Sequence, residues 1–124
     1  MSSTFTVEIK EASRELSKRD RVKLKDTGNS IKLDECVDIG SSFVLAPTGY
    51  AILAIHNEKA EDKDYEQYLI EAEDGHKYVT GSVSFWETFK SIWDEMEGEE
   101  YEVEVYKVES KNYKGKHFLS CSLV

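Results

Sequence analysis

The residues in this sequence best suited to chemistry are cations and aromatic rings set close together. Residues 110–118, SKNYKGKHF, gather Lys111, Lys114 and Lys116 around Tyr113 with no acid among them. Lysines so placed can replace the counterions condensed along a phosphate backbone, and a flat ring gives an unpaired base a surface to stack on. Stacking of that kind is worth about 1–3 kcal/mol per base and tolerates any sequence. A second basic run, residues 18–25, spaces Arg21, Lys23 and Lys25 two apart, which on a strand puts all three on one polar face. Tyr78, with Lys77 beside it, supplies a further ring. Periodicity leaves open which face of the Tyr68/Tyr78 hairpin meets the core, and Tyr78 is preferred as the exposed ring. Lys111, Tyr113, Lys114, Lys116, Tyr78, Lys77, Arg21, Lys23 and Lys25 are thus the candidate contacts. Each has a plainer use: lysines and glycine in a hairpin loop also keep a sheet edge soluble and make the turn.

No constellation for catalysis accompanies them. His56, His76 and His117 stand apart in the sequence, and Thr27-Gly28-Asn29-Ser30 and Val79-Thr80-Gly81-Ser82 fail every glycine-rich phosphate-loop pattern. Glu58, Glu61, Asp62 and Asp64 cluster without the order of a calcium loop, and a solvated face explains them better. Cys36 and Cys121 are the only cysteines and have no metal-ligand spacing. Reduced structural thiols are the expectation, with no metal, no cofactor and no enzymatic activity.

The net charge of −9 is unevenly spread. Residues 1–34 carry +2, residues 35–106 carry −14 and residues 107–124 carry +3. Both ends are mildly basic and the middle is acidic, so any polyanion must meet local positive charge rather than the molecule as a whole. A chain of 124 residues with one proline, no repeat and no low-complexity tract reads as a single domain, 1–124. No apolar run approaches bilayer length and no secretory signal is visible at the start, which leads to the expectation of a cytoplasmic protein that does not enter membranes.

The elements that must position these residues are mainly strands. Residues 7–18 have apolar Ile9, Ala12 and Leu16 at helical spacing, and residues 22–25 and 31–33 read as a hairpin, so 1–46 is expected to form a helix-and-hairpin extension. Residues 50–56 are near-continuously apolar and suit a strand buried on both faces. Residues 65–72 and 76–81 flank Asp74-Gly75, a hairpin cue whose two-residue turn pairs Glu71 with Tyr78 and Ile70 with Val79. Ser84 through Glu87 fits a capping box ahead of a helix whose apolar stripe is Phe85, Phe89, Ile92 and Met96, ended by Gly98. Residues 101–108 and 116–124 alternate as strands. The order strand-strand-strand-helix-strand-strand from Tyr50 onward is that of the OB-fold, a five-stranded Greek-key barrel whose first and last hairpin loops flank a ligand groove. An open α+β sandwich of the same elements is the alternative.

Three stretches, KDTGNSIKLDE, HNEKAEDKDYEQYLI and YVTGSVSFWETFKSIWDEM followed by EVEVYKVESKNYKGKHFLSCSLV, resemble the small single-stranded DNA-binding-like proteins of phages and prophages of Gram-positive bacteria. The resemblance runs over most of the chain, and its most distinctive part is SKNYKGK. It implies an OB-fold, binding of single-stranded DNA in phage replication or recombination within the host cytoplasm, contact with phage or host replication proteins, and homo-oligomerisation. The apolar ending, residues 118–124, departs from the acidic partner-recruiting tail of the better-known bacterial proteins. A rival expectation is an acidic interaction module, or a DNA-mimicking inhibitor, built on Glu97, Glu99, Glu100, Glu102 and Glu104.

Overall fold

In a computed structural model, residues 5–59, 61, 63–110 and 115–124 are described, Thr27 by its backbone alone. Among them the chain forms eight strands and two α-helices in the order β1 (Phe5–Ala12), α1 (Lys18–Lys25), β2 (Ile31–Lys32), β3 (Ser42–Leu45), β4 (Pro47–Asn57), β5 (Asp64–Ala72), β6 (Lys77–Thr80), α2 (Val83–Glu95), β7 (Val103–Glu109) and β8 (His117–Leu123). The strands make two sheets, β1-β4-β5-β6-β2 and β3-β7-β8. The molecule is mainly β, and the two sheets do not close into a barrel.

Strand β4 shows why the layers stack as they do. Its apolar residues do not alternate with polar ones, so both of its faces need cover. Tyr50 joins a core with Tyr68, Ile70, Tyr78, Phe85, Trp86, Phe89, Val103, Val105 and Leu119, contributed by β5, β6, α2 and the three-stranded sheet. Its neighbours Ala51, Leu53 and Ile55 join a second core with Leu69, Val79 and, from α1, Leu24. The five-stranded sheet is therefore sandwiched: α2 and the small sheet cover one face, and α1 lies on the other. Trp86 stacks on Tyr68 at 4.9 Å between ring centroids, and Trp93 meets Tyr50 edge-on at 5.4 Å, so both indoles are used in packing. Burial takes Cys121 up to about 11, which leaves that thiol protonated and inert.

The first 45 residues differ from the sequence expectation. Residues 5–12 are a strand pairing with β4, and the predicted strand at 22–25 is the helix α1. A bulge between Ile9 and Glu11 explains the misleading periodicity. One extra residue lets Ala12, rather than Glu11, return to the face of Ile9, and a spacing of three imitates a helix. Helix α1 starts on a capping box: Ser17 Oγ accepts from the Asp20 N–H at 3.1 Å, and Asp20 Oδ2 accepts from the Ser17 N–H at 3.2 Å.

The β5–β6 hairpin also departs by one residue. Ile70 pairs with Tyr78 and Leu69 with Val79. Gly75, at φ 86°, accommodates the left-handed step of a three-residue loop closed by the His76 carbonyl accepting from the Ala72 N–H at 3.1 Å. Because side chains alternate, the single-residue shift puts Tyr68, Ile70 and Tyr78 together on the core face. Helix α2 is capped one turn-step earlier than expected, by Ser82 Oγ accepting from the Phe85 N–H at 3.2 Å rather than by Ser84. Its buried stripe of Phe85, Trp86 and Phe89 otherwise matches the apolar spacing.

Candidate nucleic-acid interface

Helix α1 has five cations in eight residues, Lys18, Arg19, Arg21, Lys23 and Lys25, against one acid, Asp20. Only Leu24 is buried, which fixes the helix rotation. At about 100° per residue, Arg21, Lys25 and Lys18 fall on one flank, Asp20 and Lys23 on the other, and Val22 and Arg19 point away. Val22 is accordingly 71% exposed.

The flank with Asp20 and Lys23 is clamped to the hairpin end of the sheet. Arg14 donates through Nη1 to Asp20 Oδ2 at 2.9 Å and through Nη2 to Glu71 Oε2 at 3.1 Å. The hydrogen bond from Arg14, first among several, holds the Asp20 carboxyl below its usual range. Lys77 Nζ donates to the carbonyls of Lys23 and Asp26, the latter at 3.3 Å, and so caps the C-terminal end of α1. These groups line a cleft of about 420 Å³ with His76 and Asn29. Its charges neutralise one another: it locks the helix in place.

The end of the sheet away from this hairpin is less covered on the same face. The register sets Val7, Ile55 and Tyr65 in one row and Ile9, Leu53 and Gln67 in the next, on the face that carries Leu24. At that end Phe5 is 43% and Tyr65 36% exposed. Lys32 is exposed on β2, opposite Val79. Among the described residues, Lys18, Arg19, Arg21, Lys25 and Lys32 make no salt bridge. Lys10 by contrast pairs with Glu66, Lys63 with Glu58 and Lys90 with Asp94. Of these, Lys32 lies beside the exposed rings, lining a recess with Phe5 and Tyr65.

The residues singled out from sequence are distributed differently from the expected track. Lys111, Tyr113 and Lys114 lie outside the described residues. Lys116 follows Gly115 and returns the chain to β8, its carbonyl accepting from the Ser110 N–H at 2.8 Å. It adjoins the small sheet, on the far side of the large sheet from α1. Tyr78 is not a stacking platform. It is 4% exposed, packs against Phe43 at 5.4 Å, and donates its hydroxyl to Asp74 Oδ2 at 2.6 Å. Burial, with that hydrogen bond, raises the phenol far above its normal value. Lys77 is taken up as the cap of α1, and Lys23 faces the neutralised cleft. Arg21 and Lys25 alone of the predicted strip share the open flank, on a helix rather than a strand.

Phe5, Tyr65 and Lys32 were not among the sequence candidates. The alternation of Phe5, Val7 and Ile9 with Thr6, Glu8 and Lys10 was the available signal, hidden by the bulge. No protein-family model matches the chain, and no curated protein or solved structure shows significant similarity to it. Among the described residues no group of three His, Cys, Asp or Glu side chains is arranged to hold a metal ion, and no helix is long and apolar enough to cross a membrane.

Proposed function

We propose that the protein binds single-stranded DNA without catalysing a reaction, through the open end of its five-stranded sheet and the adjoining flank of α1. One observation carries this reading: the exposed rings of Phe5 and Tyr65 line a recess with Lys32, which makes no salt bridge among the described residues, on the face of the sheet that also carries the basic helix α1. Rings offer stacking and cations replace counterions, the two requirements of sequence-tolerant single-strand binding. The order β4-β5-β6-α2-β7-β8 keeps the succession of an OB-fold, and we read the architecture as an opened variant of it. The resemblance to phage proteins is what supports a setting in replication or recombination, in the host cytoplasm and as a homo-oligomer. The test is a titration of labelled oligo-dT, oligo-rU and a DNA duplex. Tight, salt-sensitive binding of oligo-dT, weak binding of duplex, and at least tenfold loss in a Phe5→Ala/Tyr65→Ala variant are expected. Absence of oligo-dT binding at low salt refutes the proposal.

A second reading rests on a different surface. A cleft of about 470 Å³ between the end of α2 and the start of β4 has Trp93, Met96, Pro47 and Tyr101 among its walls and Glu73, Glu97, Glu99 and Glu100 at its rim. An acidic rim around apolar walls suits a cationic protein segment, the chemistry of an interaction module. Recovery of one host DNA-processing protein, unaffected by Phe5→Ala/Tyr65→Ala and abolished by Glu97→Lys/Glu100→Lys, favours it.

A further inference from the structure

Helix α1 carries a pattern that its own packing does not use. Val22 stands exposed at its apex. Residues three and four apart are neighbours on a helix surface, and those of Val22 are Lys18, Arg19 and Lys25. All three are exposed and make no salt bridge among the described residues. A single exposed valine needs no explanation, but this one is an apolar knob in a ring of positive charge.

The end of α2 and the start of β4 carry the reverse pattern. Trp93, Met96, Pro47 and Tyr101 wall the cleft of about 470 Å³, and Glu97, Glu99 and Glu100 stand exposed at its rim. A neighbouring hollow shares Met96, Glu100 and Tyr101 with it and extends the apolar surface to Leu123 and Val124, 47% and 70% exposed. None of these glutamates makes a salt bridge among the described residues, whereas Asp94 is already held by Lys90. Like charges crowded around an apolar opening repel one another, and a cationic occupant relieves that repulsion.

We infer that this cleft is the seat for α1 of a second copy of the chain. Val22 enters the apolar cleft, and Lys18, Arg19 and Lys25 meet the glutamates at its rim. The inference rests on the second reading above, which makes the cleft a seat for a cationic segment, and names that segment. The chain's own α1 is not the occupant, because Leu24 anchors it in its own sheet with Val22 pointing outward. A copy's α1 matches the cleft twice, in charge and in its apolar centre. One helix apex in one cleft buries little area, so the contact belongs to the weak, salt-sensitive class.

The experiment follows the full chain by sedimentation velocity at about 50 mM and about 500 mM salt, between which the screening length falls about threefold. Two charge reversals are compared, Lys18→Glu/Arg19→Glu on α1 and Glu97→Lys/Glu100→Lys at the cleft. All four positions are exposed. Acids suit the first turn of α1 and bases suit the end of α2, so both variants should fold, which thermal melting checks. The wild type is expected to self-associate at low salt with a Kd of about 10–100 μM, and at least tenfold more weakly at high salt. Each reversal alone weakens association at least tenfold. Mixed in equal amounts, the two variants associate again, because each α1 then meets a cleft of opposite charge. A wild type that stays monomeric at about 500 μM in low salt overturns the inference. Association indifferent to either reversal overturns it too, as do variants that fail to recover on mixing. A monomeric wild type leaves the cleft to the foreign partner of the second reading, and none of these outcomes touches oligo-dT binding.

Discussion

Replacing Arg21, Lys25 and Lys32 together by glutamine tests the electrostatic half of the proposed function. The three side chains are exposed and make no salt bridge among the described residues. Glutamine matches lysine and arginine in helix propensity. The fold should therefore lose little, about 0.5 kcal/mol at most, mainly from Lys25 in the last turn of α1. Binding should lose a defined amount. Each phosphate contact to a single strand contributes about 0.7 to the slope of log affinity against log salt, so three lost contacts lower the slope by about 2. Between 50 and 200 mM salt that difference changes the wild-type to variant affinity ratio by about twentyfold. The assay is anisotropy of labelled oligo-dT across that salt range, with Lys23→Gln as the internal control. Lys23 lies on the clamped flank and should leave the slope unchanged. An unchanged slope in the triple variant refutes the assignment of these cations to phosphate. An equal effect from Lys23→Gln refutes the division of α1 into a structural and a binding flank.

Other outcomes follow from the packing. Tyr78→Phe removes the hydroxyl held by Asp74 and should cost about 1 kcal/mol in urea denaturation while leaving oligo-dT affinity intact; a loss of binding without a loss of stability returns Tyr78 to the interface. In Gly49→Ala the new Cβ lies 2.8 Å from Glu71 Oε1 and 3.2 Å from Ser13 Oγ. With Glu71 pinned by Arg14, destabilisation of about 1–3 kcal/mol is expected in the same assay. His56 contacts Asp64 Oδ1 at 2.7 Å and Glu58 Oε1 at 2.6 Å, and its pKa is raised above 6.5, first by the hydrogen bond to Asp64 and then by that to Glu58. Its stabilising effect is full below pH 6.5 and is lost as pH rises through the elevated value. Stability measured from pH 6 to 8 should therefore fall more for the wild type than for His56→Gln, and proton NMR should place the His56 midpoint above 6.5.

The C-terminal two-thirds of the fold was legible because its local signals agree with its packing. The unbroken apolar run around Tyr50 did mean a strand with both faces covered, and the stripe of Phe85 and Phe89 did mark a buried helix face. The N-terminal third was not, because its signals conflict. A bulge gave β1 a helical spacing, and Val22 and Leu24 gave α1 an alternating one although Val22 points into solvent. Ser17 and Asp20, three apart, carried the correct signal. In the Asp74-Gly75 hairpin, the choice between a two-residue and a three-residue loop moved Tyr78 from the face of Leu69 to the face of Ile70. A dipeptide cue does not make that choice; closure of Ala72 on His76 does.

The same misreading explains how a basic stretch came to look like a uniform strip. On a strand, Arg21, Lys23 and Lys25 would act alike; on α1 they divide. Lys23 turns toward Glu71 and His76, in the cleft where Arg14 and Lys77 tether the helix by its acid and its carbonyls. Those tethers hold α1 by polar groups on one flank, while the other flank keeps its charge uncompensated. Ordinarily an acidic surface this rich in carboxylates would capture such cations, as Glu66 captures Lys10 and Asp94 captures Lys90. Beside Lys32, by contrast, the recess is lined by Phe5, Ile55, Tyr65 and Gln67, and none of these is an acid. Keeping carboxylates out of that recess is what leaves Lys32 available to a polyanion. A Gln67→Glu substitution, which puts a carboxylate beside Lys32, should therefore weaken oligo-dT binding more than the uncharged Gln67→Met does. The excess should shrink as salt rises from 50 to 200 mM, since screening shortens the reach of the new charge. An excess that does not change with salt argues that the open face binds its ligand without electrostatic help.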